Sequence, residues 1–115
     1  MKKYEIIFLE LAKEFLDKLD PKTRQKVLYN IWKSREINDL ELFKKLSGEI
    51  WEFRTNFLAK NIRLLAFWDK ERKNETLVIA THGFIKKTQK TPRQEIEKAE
   101  QIKVDYFFEK KNQRR

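Results

Sequence analysis

Tyr4, Ile6 and Phe8 alternate with Lys3, Glu5 and Ile7, so the chain opens on a period of two, and residues 3–8 are expected to form a strand. The period then lengthens. Leu11, Ala12, Phe15, Leu16 and Leu19 recur at helical spacing until Asp20-Pro21 interrupts them. Asp20 suits the N-cap of a second helix with Pro21 in its first turn, and Val27, Leu28, Ile31 and Trp32 are its expected buried stripe. No glycine precedes Gly48, which argues against a flexible linker and for two helices packed as a hairpin. There is no internal repeat.

From Glu49 the pattern returns to strands, expected over 49–55, 62–68 and 76–81. They are joined by residues 56–61 and by the charged turn Asp69-Lys70-Glu71-Arg72-Lys73-Asn74-Glu75, and such short loops favour antiparallel neighbours. Leu77, Val78, Ile79 and Ala80 are apolar without alternation, as in a strand covered on both faces, so this strand is expected at the centre of the sheet. Beyond it the backbone is expected to turn at Gly83. Thr91 suits the N-cap of a last helix, Pro92 its first position and Gln94 the capping-box partner, with Ile96, Ala99, Ile102 and Tyr106 as its apolar stripe. The expected fold is α+β in the order β-α-α-β-β-β-α: an antiparallel twisted sheet with its helices against one face. It forms a single domain over 1–109, followed by a frayed basic tail over 110–115.

Charge sharpens this picture. Lys and Arg number 27 against 18 Asp and Glu, a formal net charge of +9, which makes a polyanion such as nucleic acid the natural partner. With 40% hydrophobic residues the chain can still fold rather than stay disordered. Zero Cys excludes disulfides, thiolate metal sites and cysteine nucleophiles, and a single His excludes a His pair or a His-rich metal site, so neither metal nor cofactor is expected. Glu5 and Glu10 interrupt the N-terminal apolar residues, and no apolar run approaches the ~20 residues of a membrane span, so a soluble cytoplasmic protein is expected.

The cations are not evenly spread. Between Thr76 and Gln94 there is no acidic residue, while Lys86, Lys87, Lys90 and Arg93 follow an apolar run and precede a helix start, the profile of an anion site. Alternation places Glu52 and Arg54 on one face of a strand, with Trp51 and Phe53 on the other facing the core, so Arg54 is expected to point outward. Arg63, on the neighbouring strand, could converge with Arg54, Lys86 and Lys87 on one phosphate, since guanidinium groups stay ionised and bind phosphoryl oxygens in bidentate fashion. Alternatively Arg54 pairs with Glu52 as a solvated charge, and His82 serves as a satisfied structural residue rather than a proton-transfer group. Trp51, Trp68 and Phe67 are assigned to packing.

Three segments then carry a resemblance: Leu46-Ser47-Gly48-Glu49-Ile50-Trp51-Glu52-Phe53-Arg54, Ile62-Arg63-Leu64-Leu65, and His82-Gly83-Phe84-Ile85-Lys86-Lys87-Thr88-Gln89-Lys90-Thr91-Pro92. In this order they resemble the RelE/ParE toxin superfamily, in particular its phage-related HigB-type branch. The resemblance implies the toxin of a type II toxin-antitoxin pair, a metal-free endoribonuclease that cuts messenger RNA on the ribosome and is silenced by a helix-turn-helix, HigA-like antitoxin. Operator DNA would be met only through that antitoxin, and no membrane is implied. Arg54, Arg63, Lys86 and Lys87 match its catalytic positions, and Lys44, Lys45, Lys60, Lys90 and Arg93 would hold the RNA backbone. Ile62 stands where relatives often have tyrosine, and the tyrosine that RelE-type members use near the C-terminus has no certain counterpart. Two rival classes are a ParE-like DNA gyrase inhibitor and a non-catalytic RNA-binding module.

Overall fold

The computed structural model describes residues 4–71 and 76–113; Lys3, the 72–75 part of the charged turn, Arg114 and Arg115 lie outside the described residues. The elements run β1 (Glu5–Phe8), α1 (Glu10–Lys18), α2 (Pro21–Glu36), β2 (Phe43–Ser47), β3 (Ile50–Phe57), β4 (Lys60–Asp69), β5 (Leu77–Ile85) and α3 (Arg93–Gln113). They build a small α+β domain with three helices and a five-stranded mixed sheet ordered β1-β5-β4-β3-β2. β1 lies parallel to β5 and every other pairing is antiparallel, which corrects the expected all-antiparallel sheet. β2 is an element the hydrophobic pattern did not reveal. Its five residues include Lys44 and Lys45, the polar dressing of an edge strand. Among the described residues no helix is long and apolar enough to cross a membrane.

The helical hairpin forms as its punctuation suggests. Asp20 accepts from the Thr23 amide (3.0 Å) and hydroxyl (2.7 Å), and Pro21 starts α2. Arg24 then reaches back from α2 to the last carbonyls of α1, its Nε 2.9 Å from Leu16 O and its Nη2 2.9 Å from Leu19 O. This satisfies groups that a helix end would otherwise leave bare.

The helices do not share one face of the sheet. Ala12 and Leu16 of α1 and Val27 and Ile31 of α2 pack with Phe53, Ile62, Leu64, Ala66, Val78 and Ala80. On the other face Ala99, Ile96, Tyr106 and Phe107 of α3 cover Ile50, Leu65, Phe67, Leu77 and Ile79. β4 is therefore the middle strand, buried on both faces from Ile62 to Phe67, and β5 is interior but flanks it. Along α2, Val27 and Ile31 are buried as expected, whereas Leu28 and Trp32 face solvent, so the buried stripe is Thr23, Val27, Ile31 and Ser34.

The segment after β5 also differs from expectation. Gly83 lies within β5 rather than at a turn, and its missing side chain makes room for α1, since a Cβ there would stand 2.2 Å from Cδ2 of Phe15. Thr91 donates its hydroxyl to Glu52 instead of capping α3, and the carbonyl of Pro92 accepts the first amides of the helix. At the far end, residues 110–113 continue α3, and Lys110 Nζ sits 2.5 Å from the buried Asp69 carboxylate, which Tyr106 also contacts at 2.7 Å.

Candidate nucleic-acid interface

Past the N-terminal end of α3 the same sheet face continues with charged side chains, because alternation on β3 sends Ile50, Glu52 and Arg54 to that side and alternation on β4 sends Arg63 there with Leu65. Arg54 and Arg63 are direct cross-strand partners. Two like charges so placed repel, and a carboxylate between them offsets the repulsion. Glu52, buried, has Oε1 3.7 Å from Arg54 Nε and 3.6 Å from Arg63 Nε, while its other oxygen takes the Thr91 hydroxyl. Both arginine Nε atoms are themselves buried and lack a hydrogen-bond partner, so the attraction to Glu52 is coulombic rather than a formed hydrogen bond.

Arg63 is buried rather than open to solvent. Its side chain is 2% exposed, and Nη1 donates to Asn56 Oδ1 at 3.1 Å and to Ile62 O at 3.0 Å. Burial, aided by Arg54 and opposed by Glu52, lowers its pKa from the ordinary guanidinium value. Arg54 is more open and donates from Nη1 to Leu40 O at 3.3 Å.

Lys86 completes the cluster. Its amide bonds Asn61 O at 2.7 Å, carrying the β4–β5 ladder one residue beyond β5, and its ammonium donates to Gln89 O at 3.3 Å. Burial pulls its pKa below the ordinary lysine value, and Arg63, Arg54 and Lys44 pull the same way against Glu52. Lys86 and Gln89 line two hollows. One, of about 410 Å³, is lined by Asn61, Arg63, Lys86, Lys87, Thr88 and Gln89. The other, of about 310 Å³, is lined by Lys86, Glu52, Arg54, Lys44, Lys90 and Thr91 among others. The structure thus sets Arg54 and Arg63 on one carboxylate, with Lys86, Lys44 and Lys90 around the hollow that Glu52 lines and Lys87 on the neighbouring one.

The remaining candidates lie elsewhere. Lys45 lines a separate hollow of about 760 Å³ with Glu49, Trp51, Trp68, Lys70 and Lys103. That space is larger but less suited to an anion, since Glu49 and Glu71 also line it and Glu49 pairs with Lys103 at 2.9 Å. Lys60 acts on Asp20, whose carboxyl is held low first by the Thr23 hydroxyl and amide and further by the Lys60 charge, so it belongs to the α2 side. Arg93 is 90% exposed and pairs with Glu97 one turn along α3 at 3.3 Å.

His82 is buried away from the cationic hollows. Nε2 lies 2.9 Å from Glu95 Oε1 and Nδ1 lies 3.0 Å from Thr81 Oγ1. Burial lowers its pKa, overriding Glu95, so the ring is neutral near pH 7; its one N–H is best spent on the Glu95 carboxylate, with Nδ1 accepting from Thr81. Of the polar groups in the cluster, Asn56, Asn61 and Gln89 gave no sequence signal. Glu52 did, since alternation already set it beside Arg54. Among the described residues no group of three or more His, Asp or Glu side chains could hold a metal ion.

Fold and site together define a small basic α+β domain whose sheet carries two basic hollows, built from β2, β3 and β4 and from the segment after β5, that share Lys86. The family described as phage derived protein Gp49-like (DUF891) matches residues 14–104, and the chain belongs to it. This is a RelE/ParE-like toxin family, commonly of the toxin-antitoxin type. No curated protein matches the chain.

Proposed function

We propose that this chain is a HigB-type toxin that cleaves messenger RNA on the ribosome without a metal, and that a helix-turn-helix antitoxin silences it. The observation that carries the reading is that Arg54 and Arg63, cross-strand partners held by the same Glu52, each line a basic hollow with Lys86, whose ammonium is destabilised by burial and by its cationic neighbours. In such a reaction the 2′-oxygen bonds to phosphorus and the bond from phosphorus to the 5′-oxygen breaks. The 2′-hydroxyl gives up a proton and the leaving 5′-oxygen takes one, leaving a 2′,3′-cyclic phosphate and a 5′-hydroxyl. Arg63, held rigid by Asn56 and its own strand, suits stabilisation of the phosphorane charge, and Arg54 adds to it. The Lys86 pKa is shifted in the direction that proton transfer near neutral pH favours. Lys87, exposed on the rim, suits backbone binding, as do Lys44 and Lys90.

Incubating the protein with programmed ribosomes and mapping new RNA ends tests this directly. Wild-type protein should cut within the message, and Lys86→Arg, which keeps the charge but cannot shuttle a proton, should bind ribosomes while cutting ~10²-fold more slowly. Lys87→Arg should cut normally. Intact messages together with blocked gyrase supercoiling would replace this reading with a ParE-like one, and wild-type cutting by Lys86→Arg would remove proton transfer from Lys86.

A further inference from the structure

The solvent face of α2 carries what a free surface normally lacks: Leu28, Tyr29 and Trp32 are 39%, 51% and 54% exposed on adjacent turns of one helix. Tyr29 and Trp32 lie ring to ring with centroids 6.3 Å apart, and Lys26 Nζ sits 5.5 Å over the Tyr29 ring. The charge along one flank of this ridge is positive. Of the cations of α2, Arg24 is spent on α1 carbonyls and Arg35 on Tyr4 O and Glu5, whereas Lys22, Lys26 and Lys33 run along the Tyr29 side of the ridge. Glu36, at the last position, is the sole acid of α2.

From this we infer that the α2 ridge is a docking surface for an acidic amphipathic helix of another protein. Spacing supports a helical partner, because Leu28 and Trp32 at i, i+4 and Tyr29 and Trp32 at i, i+3 form a ridge of the kind that seats between the side chains of a facing helix. Charge supports an acidic one. A second copy of this chain would bring Lys22, Lys26 and Lys33 against their own equivalents in a protein of net charge +9. A nucleic acid strand is better served by the concave hollow around Lys86 than by a convex ridge containing Leu28. A membrane would gain little from three side chains whose helix buries its opposite stripe in the sheet. α2 packs on the face opposite Glu52, Arg54 and Arg63, with Asn30 bonded to Thr55, so a helix docked there leaves the cationic hollow open. The inference stands whether or not the chain cuts RNA.

Indole N–H resonances of the full chain report on the surface, since Trp32 lies on the ridge and Trp51 and Trp68 lie off it. The probe is a synthetic helical peptide with Leu at i, i+3, i+4 and i+7 and Glu at the remaining positions. The Trp32 resonance should shift and saturate with peptide, less steeply as salt rises, while those of Trp51 and Trp68 stay in place. Leu28→Ala/Tyr29→Ala should weaken binding at least ~10-fold without changing thermal unfolding, as should reversing charge at Lys22, Lys26 and Lys33. The proposal falls if the peptide leaves Trp32 unmoved. It also falls if only a short oligoribonucleotide or a phosphatidylglycerol vesicle moves Trp32, or if the ridge variants bind the peptide as wild type does.

Discussion

Gly83 illustrates how a single residue can be recognised as special and yet be misread. Seen between an apolar run and a basic loop, it marks a turn; in the fold it lets the Phe15 ring of α1 lie directly on β5, with no positive φ involved. Gly83→Ala is expected to destabilise the protein by about 1 to 3 kcal/mol through overpacking, measured by denaturant unfolding. Adding Phe15→Leu should recover part of that loss, and purely additive effects would mean that the ring is not what the methyl meets. His82 was legible as a structural residue for a related reason, since a lone imidazole beside a buried strand has few ways to stay charged. Its folded pKa lies below the unfolded value of 6.5, so the unfolded chain binds the extra proton between those two values. The stability it leaves intact above pH 6.5 should therefore decline as pH falls from 6.5 toward the folded pKa. His82→Gln should flatten that part of the stability profile, with chemical denaturation at stepped pH as the measurement. An unchanged profile would mean that the ring does not remain neutral in the folded protein.

Elements were legible where their periodicity was strong and obscure where an edge or a partner intervened. β4 and β5 stand out because their apolar runs are covered on both faces, and β3 because Trp51 and Phe53 alternate with Glu52 and Arg54, while β2, with Lys44 and Lys45 between few apolar residues, shows itself only as a partner of β3. Parallel pairing of β1 with β5 could not be read from short loops, because it joins strands far apart in sequence. The stripe of α2 was half right since Leu28 and Trp32 are apolar without being buried, and periodicity cannot distinguish a core face from a docking face. The β3–β4 hairpin has a sharper local signature. It turns on Leu58 and Ala59, both left-handed at φ 51° and 63°, where glycine or asparagine would be at less cost. Leu58 is exposed, so Leu58→Asn with Ala59→Gly loses little packing and is expected to stabilise the protein by about 1 kcal/mol in thermal unfolding. A fall in melting temperature would show that the strain at this turn is offset by contacts of Leu58.

At the scale of the whole molecule the question is whether net charge or its arrangement governs anion binding. A chain of +9 would attract RNA loosely through every lysine, whereas the fold divides Arg54, Arg63, Lys86, Lys87, Lys44 and Lys90 between two hollows that share Lys86 and leaves Lys60 beside Asp20. That arrangement was only partly visible in the sequence. The basic run after β5 and the alternation on β3 announced most of it, but Lys45 and Lys60 were indistinguishable from Lys44 and Lys90 until the register and the turn placed them. Counterion release separates the two cases, because each phosphate neutralised on a single strand contributes about 0.7 to the slope of log affinity against log salt. With a short, uncleavable 2′-O-methyl oligoribonucleotide, Lys90→Ala should lower the magnitude of that slope by about 0.7, and Lys60→Ala should leave it unchanged. Equal effects from the two substitutions would mean that diffuse charge, rather than the hollow, holds the strand, and the catalytic arrangement proposed around Lys86 would then lose its means of positioning a scissile phosphate.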